Sequence, residues 1–122
     1  MKRYKLILFF SLPGILFLTS CEKDEIKVLT GEASHILTTT AEIKGYLLSV
    51  GNGIKYYGHC YSITPGPTIL DSRTEFAGAI GVGEFKSFLQ GLEPGAKYYV
   101  RTYIHRYNTT VYGEEINFIT AE

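Results

Sequence analysis

The residues that follow position 26 predict an all-β fold: a sandwich of about seven antiparallel strands, preceded by a cleaved signal peptide. No stretch of this part shows the 3.6-residue period of an amphipathic helix. Apolar and polar residues instead alternate with a period of two, and clusters of Gly, Pro, Asn and Ser separate the alternating runs. Short runs at such regular spacing are typical of two packed antiparallel sheets.

The N-terminal 20 residues have the order of a secretion signal. Lys2, Arg3 and Lys5 precede an almost wholly apolar stretch at residues 6–18. That stretch of about 13 residues is too short for a permanent transmembrane helix, which needs roughly 20. We therefore predict that residues 1–20 are a signal peptide that is removed during export.

The residues at the end of this leader are Leu18, Thr19, Ser20 and Cys21. They resemble the lipobox of bacterial lipoproteins, and the resemblance implies that Cys21 receives a diacylglyceryl group and becomes the mature N-terminus. The two or three acyl chains of such a lipoprotein hold a protein stably on a membrane. The alternative is a plain secreted protein in which Cys21 is a thiol or half of a disulfide.

A polar stretch, Glu22 to Glu25, follows the cysteine, and residues 21–26 are predicted to be a lipidated tether. A lysine followed by two acidic residues at this place is similar to the export signal of lipoproteins in the Bacteroidetes group. This similarity implies a location on the outer face of the outer membrane. The same residues would also serve as a solvated, flexible tether.

The rest of the chain, residues 27–122, is long enough for one domain with one core. Without the leader, nine basic residues remain against twelve acidic ones, a net charge of −3. Binding to a phosphate backbone needs a basic patch, so nucleic acid is not predicted as a partner. Cys60 is the second of two cysteines and lies in an apolar strand pattern, which predicts a buried core residue.

The strands follow from the alternation and from the breaks between the runs. A first strand is predicted near residues 26–31, and a second where Ala41, Ile43, Gly45 and Leu47 alternate with polar residues. Residues 54–63 form the third, which ends before Pro65 because proline lacks the amide that a central strand needs. An irregular or edge segment follows at residues 68–77.

The second half of the domain has the clearest pattern. A strand is predicted at residues 85–89, and Pro94 and Gly95 then reverse the chain. From Lys97 to Arg106 the alternation is continuous over ten residues, with Tyr98, Val100, Thr102 and Ile104 on one face. The last strand carries Tyr112, Ile116 and Phe118.

The segment LEPGAKYYVRTYI at residues 92–104 resembles the corner between the fifth and sixth strands of fibronectin type III domains. The resemblance rests on Leu92, Pro94 and Tyr98, which match the tyrosine corner of that family. It implies that the Tyr98 ring fills the core while its hydroxyl bonds to the backbone near Leu92.

Two further segments, GHCYSITPGPT and VYGEEINFIT, look like the variant of this fold found in Bacteroidetes surface lipoproteins. The resemblance covers about residues 27–120. It departs from the family in the turn between the last two strands, where Arg106 and Thr109 replace the usual Asn and Gly.

No set of residues in the sequence indicates catalysis. The three histidines, His35, His59 and His105, are not at a metal-binding spacing, and no phosphate loop or nucleophile motif is present. A metal shared by His59 and His105 would require a strand register that the sequence does not give. We therefore predict no enzyme, no metal and no cofactor.

One group of residues is a candidate binding face. If Gly58 and Cys60 face inward, the neighbouring side chains of two adjacent strands share an outer sheet face; these are Tyr57, His59, Tyr61, Tyr99, Arg101, Tyr103 and His105. Aromatic rings offer flat apolar area to sugars or proteins, and Arg and His add polar specificity. The alternative is that the rings only stabilise the sheet through cross-strand pairs.

The sequence therefore predicts a non-enzymatic, membrane-anchored lipoprotein that serves as an extracytoplasmic interaction or spacer module of unknown ligand. The partners are the membrane, through lipid on Cys21, and a protein or a glycan. An alternative function is a carbohydrate-binding component of a surface glycan-capture system. A protein partner that adds a strand to an exposed sheet edge is a further possibility.

Overall fold

The structure is a computed structural model that describes residues 25–77 and 81–122. The signal peptide and Cys21 lie outside the described residues, as does most of the tether at residues 21–26. No helix in the described ranges is long and apolar enough to cross a membrane.

The described residues form nine β-strands in two antiparallel sheets. In chain order they are β1 (Lys27–Ser34), β2 (Ala41–Ser49), β3 (Ile54–Ser62), β4 (Ser72–Arg73), β5 (Phe76–Ala77), β6 (Gly83–Leu89), β7 (Lys97–Arg106), β8 (Thr109–Tyr112) and β9 (Ile116–Ile119). The first sheet has the order β1-β2-β6, and the second has β4-β3-β7-β8. β5 also pairs with β3, and β9 also pairs with β7.

The nine strands occupy seven places in the sandwich, because two pairs of short strands each share one place. β4 and β5 lie along the same edge of β3, and β8 and β9 lie along the same edge of β7. The prediction of an all-β sandwich is therefore confirmed. The edge segment predicted at residues 68–77 contains β4 and β5.

The alternation of apolar and polar residues along the strands places apolar side chains between the two sheets, where they form the core. On β2, Ala41 and Ile43 are fully buried and Leu47 nearly so, while Glu42, Lys44 and Tyr46 are partly exposed. On β7, Val100 and Ile104 are fully buried and face β2. Burying each aliphatic side chain of this size contributes roughly 1.5–3 kcal/mol, so these two strands supply much of the stability.

β1 provides a hydrogen-bond acceptor for β7 at the interruption between β8 and β9. Between β8 and β9, the Gly113 amide donates to the Thr102 carbonyl over 2.7 Å. The Thr102 amide donates instead to the Thr30 hydroxyl on β1, at 2.9 Å, although β1 belongs to the other sheet. β1 therefore satisfies a buried backbone group that the interrupted strand leaves without a partner.

Candidate binding site

The seven residues predicted to share one outer face lie on two opposite faces of the sheet. The three on β3 lie opposite residues that are buried between the sheets: Tyr57 opposite Ile104, His59 opposite Thr102, and Tyr61 opposite Val100. Directly paired residues point to the same side of a sheet, so all three point into the sandwich. The other four, Tyr99, Arg101, Tyr103 and His105, lie on the outer face. The prediction of one shared face is wrong.

The reason lies in the small side chains of β3, which face outward and not inward as predicted. Residues 63–75, here called the covering segment, fold back over this side of the sheet. A Cβ on Gly58 would lie 2.4 Å from the Thr74 carbonyl oxygen, so a larger residue does not fit there. Large rings on β3 instead fill the wider space between the sheets.

Cys60 lies beneath the covering segment. It is fully buried, with its Sγ 3.5 Å from the Pro67 carbonyl oxygen. Burial raises the pKa of the Cys60 thiol to about 11, which keeps the thiol protonated and unreactive at neutral pH. Cys60 is therefore buried as the sequence predicts, but on the outer side of the sheet rather than in the core between the sheets.

Two of the four outer-face candidates hold the covering segment in place. The Arg101 Nε donates to the Pro67 carbonyl over 2.9 Å, and its guanidinium lies 4.0 Å from the centre of the Tyr112 ring. The Tyr103 hydroxyl donates to the Thr74 carbonyl over 2.7 Å. Tyr103 is fully buried, and this burial raises the pKa of its hydroxyl. Both side chains contact the chain itself and leave little area for a ligand.

The remaining two candidates lie at opposite ends of β7. His105 stacks on Tyr56 with ring centres 4.8 Å apart, and its Nδ1 lies 2.7 Å from the Thr110 hydroxyl. Tyr99 lies under the Lys97 ammonium, at 5.5 Å. Tyr99 and His105 are six positions apart along the strand, which corresponds to about 20 Å. A small ligand therefore cannot contact both rings.

His59 is the centre of a buried polar network that connects the two sheets. Its Nε2 donates to the Lys44 carbonyl on β2 over 3.0 Å, and its Nδ1 accepts from the Ser87 hydroxyl on β6, at 2.7 Å. The Thr74 hydroxyl donates to the Ser87 oxygen over 2.7 Å and accepts from the His59 amide at 2.9 Å. Since a carbonyl only accepts, this pattern assigns the proton of the neutral ring to Nε2.

The Ser87–His59 pair is similar in chemistry to a nucleophile and its base. Both residues are fully buried, however, and the second ring nitrogen bonds to a carbonyl rather than to a carboxylate. Burial lowers the pKa of His59 to about 4, so the ring is neutral at pH 7. No substrate can reach this pair, and its role is to satisfy polar groups between the sheets.

The two histidines considered as metal ligands lie on opposite faces, since His59 points inward and His105 outward. They cannot share a metal. Within residues 25–77 and 81–122, no group of three or more His, Cys, Asp or Glu residues is arranged to hold one.

The corner formed by Leu92, Pro94 and Tyr98 lies at the end of the sandwich. Leu92 and Tyr98 are buried, and Pro94 is exposed at the turn. The Tyr98 hydroxyl accepts a hydrogen bond from the Glu93 amide over 2.9 Å, and its ring stacks on Phe118 at 5.9 Å. These contacts hold the β6–β7 connection against the core.

Replacing Tyr98 by Phe should lower the free energy of unfolding by about 1 kcal/mol, because the Glu93 amide loses its acceptor while the ring is retained. Urea unfolding followed by far-UV circular dichroism measures the change. Tyr99→Phe is the matched control on the outer face and should leave stability unaltered. Equal losses in both variants would show that the corner bond contributes nothing specific.

A depression of about 250 Å³ lies next to this corner, between the end of β3 and the β6–β7 connection. Its inner part consists of buried Leu92 and Tyr98 and partly exposed Tyr61, and exposed Asp71, Ser72 and Gln90 surround it. A wider depression of about 580 Å³ lies between β1 and β9, where Ala33, Ile36 and Ile116 give it a more apolar lining. The first combines aromatic area with several polar groups, which is the usual composition of a small-molecule site.

Sequence reasoning included Tyr61 and Tyr98 but missed Asp71, Ser72 and Gln90. Asp71 and Ser72 are consecutive, Gln90 lies 18 residues later in the chain, and none of the three belongs to a recognisable motif. The available signal was compositional: a polar stretch with Asp71 and Ser72, and the pair Gln90 and Gly91 just before the corner.

Comparison with known proteins gives structural similarity alone. No protein-family profile matches this chain, and no curated protein does. The short form of the sensor domain of anti-sigma factor RsgI4 from Pseudobacteroides cellulosolvens is 16% identical, with a TM-score of 0.62; the match covers 79% of this chain and 94% of that one.

Two other solved structures have the same fold. The solution structure of the same sensor domain is 14% identical, with a TM-score of 0.63, over 79% of this chain and 75% of that one. A computationally redesigned β-sandwich protein is 18% identical, with a TM-score of 0.50, over 80% and 86% of the two chains. These similarities show the fold alone.

Proposed function

We propose that this chain is a lipid-anchored, non-enzymatic binding module that works outside the cytoplasm. The observation that carries the proposal is a contrast between two places in the sandwich. The Ser87–His59 pair is sealed between the sheets, whereas the depression beside Tyr61 and Tyr98 is open to solvent. The chain thus offers a ligand a shaped surface without a reactive group.

Several features support an extracytoplasmic location. Residues 1–20 have the order of a secretion signal and precede Cys21. Segments of the following domain resemble fibronectin type III-like domains of Bacteroidetes lipoproteins. A sensor domain of an anti-sigma factor has the same fold, and sensing also requires binding without catalysis. We place the protein on the outer membrane, facing the cell surface.

Capture of glycans at the cell surface is the second candidate function. The candidate binding face that first suggested glycan capture is divided between two sides of the sheet. Its residues Arg101 and Tyr103 donate hydrogen bonds to the covering segment. The depression is the observation that favours it now, because it combines tyrosine rings with carboxylate, amide and hydroxyl groups.

Metabolic labelling with an alkyne fatty acid tests the anchor in cells of the Bacteroidetes group that express the full chain. The wild-type chain and Cys60→Ala should both carry label, since Cys60 is buried, while Cys21→Ala should carry none. Label that persists on Cys21→Ala, or is missing from the wild type, contradicts the lipoprotein proposal.

Protease treatment of intact cells tests the location. We expect the anchored domain to be removed from the surface while a periplasmic marker remains intact. A labelled chain that stays protected until the outer membrane is opened would overturn surface display and favour a periplasm-facing module.

A further inference from the structure

The depression beside Tyr61 has an aromatic base and a polar border. We infer that it binds one ring of a neutral saccharide, an inference that rests on the proposed binding function and names its ligand class. Sugar rings have apolar C–H faces and a border of hydroxyl groups, so they match a site with one partly exposed tyrosine ring and hydrogen-bonding groups around it.

The base of the depression is already in place before a ligand arrives. The Tyr61 and Tyr98 ring centres lie 6.4 Å apart with their planes at 59°, and Tyr61 is partly exposed. Tyr98 is fixed by its hydrogen bond from Glu93 and by its stacking on Phe118. A preformed site costs less conformational entropy on binding than a mobile one.

The border supplies both donors and acceptors. One oxygen of the Asp71 carboxylate accepts from the Thr68 amide over 2.8 Å, which holds the carboxylate in position. The Gln90 amide can donate and accept, and the Ser72 hydroxyl can do both. A ligand with several neighbouring hydroxyl groups can use all three residues, whereas an apolar ligand would leave them without partners.

Charge and size narrow the ligand class further. The lining contains one carboxylate, Asp71, and no Lys, Arg or His, which disfavours phosphorylated, sulfated or acidic sugars. Its volume of about 250 Å³ lies just below the roughly 300–1,000 Å³ of drug-sized pockets, so one ring fits and a longer chain must extend into solvent. Exposed Ile63 adds an apolar wall at the mouth.

The test is an NMR titration of the full lipidated chain in detergent micelles with methyl glycosides of glucose, galactose, mannose and N-acetylglucosamine. At least one of them should shift the amide signals of Ser72, Gln90 and Gly91 in a saturable way at millimolar concentration. The glucuronide, which carries a negative charge, should bind more weakly than the glucoside.

Two double variants locate the site. Ser72→Ala with Gln90→Ala removes polar groups from exposed positions and should weaken binding at least tenfold, with the spectrum showing an intact fold. Thr38→Ala with Asn117→Ala removes exposed polar groups elsewhere and should leave affinity unchanged. Tyr61→Phe, which keeps the ring, should retain binding within a few-fold.

Three results would overturn the inference: no saturable shift with any glycoside, shifts centred on Tyr99 or His105, or unchanged affinity in Ser72→Ala with Gln90→Ala. Its failure is distinct from failure of the proposed function. A chain that is lipidated on Cys21 yet ignores every glycoside contradicts only the sugar site, while a chain that binds sugar without lipid contradicts only the anchor.

Discussion

Lowering the pH from 6.5 to about 4 should remove about 3 kcal/mol of the free energy of unfolding through His59 alone. In the folded chain the His59 ring is buried without a charged partner, and its pKa is lowered to about 4. In the unfolded chain the same ring has an ordinary pKa near 6.5. Between these two values the unfolded state binds more protons than the folded state, so acid favours unfolding.

The sign of this effect sets the pH window. The contribution of neutral His59 is fully present above pH 6.5, is lost as the pH falls towards 4, and changes no further below that value. Protonation would also place a second N–H donor against the Ser87 hydroxyl, which would have to reverse its hydrogen bond.

Urea unfolding at a series of pH values from 4 to 8 measures the effect. His59→Gln is the appropriate variant, because it keeps a polar side chain that does not titrate. It should be less stable than the wild type at pH 7, and the difference should shrink as the pH falls. An equal slope in both proteins between pH 6.5 and 4 would show that His59 is not the responsible group.

Replacing Gly58 by Ala should destabilise the fold by about 3 kcal/mol, at the upper end of the range for overpacking. The new Cβ would lie 2.4 Å from the Thr74 carbonyl oxygen and 2.8 Å from its hydroxyl oxygen. The Thr74 carbonyl accepts a hydrogen bond from the Tyr103 hydroxyl, and the Thr74 amide donates to the His59 carbonyl over 2.8 Å. Moving Thr74 therefore disturbs the covering segment and the buried network together.

Two measurements report this change. Chemical denaturation gives the loss of stability, and the rate of Cys60 modification by a thiol reagent reports displacement of the covering segment in the folded state. Gly81→Ala is the matched control, because a Cβ there would meet no heavy atom of residues 25–77 or 81–122 within 4 Å. If Gly58→Ala is as stable as Gly81→Ala, with Cys60 equally protected, the covering segment is not packed as tightly as described.

Much of the fold could be predicted because some strands have one clear apolar face. On β2 the buried and partly exposed residues alternate along the strand, and β7 has the bounds that its alternation indicates, Lys97–Arg106. The turn at Pro94 and Gly95 also lies where the sequence places it, with Gly95 at a φ of 63°. A strand with one side in the core and one near solvent carries this information in its own sequence.

The orientation of β3 could not be predicted in the same way, because both of its sides are covered. Tyr57, His59 and Tyr61 face the core, while Gly58 and Cys60 face the covering segment, so neither side has a solvent-exposed pattern. Small residues next to large rings are compatible with either orientation. The deciding factor is the covering segment, whose position depends on hydrogen bonds from Arg101 and Tyr103. The Ile69 amide of this segment also donates to the Tyr112 hydroxyl over 3.1 Å.

The candidate site was harder to predict from the sequence than the orientation of β3. Tyr61, Asp71 and Gln90 are brought together only when β3, β4 and the β6–β7 connection meet at one end of the sandwich. Buried His59 looked like a surface residue because its partners, Ser87 and Thr74, are distant in sequence. Polar networks of this kind depend on geometry between strands rather than on the period within one strand.

The short edge strands also bear on how copies of the protein behave when they are concentrated. Aggregation of β-proteins commonly begins at an edge strand that offers a long row of free amide and carbonyl groups. Beside β3 that row is divided into β4 and β5, each of two residues, and Pro65 and Pro67 precede it. This side of the molecule is therefore a poor template for fibril growth, although 45% of the residues in the chain are hydrophobic.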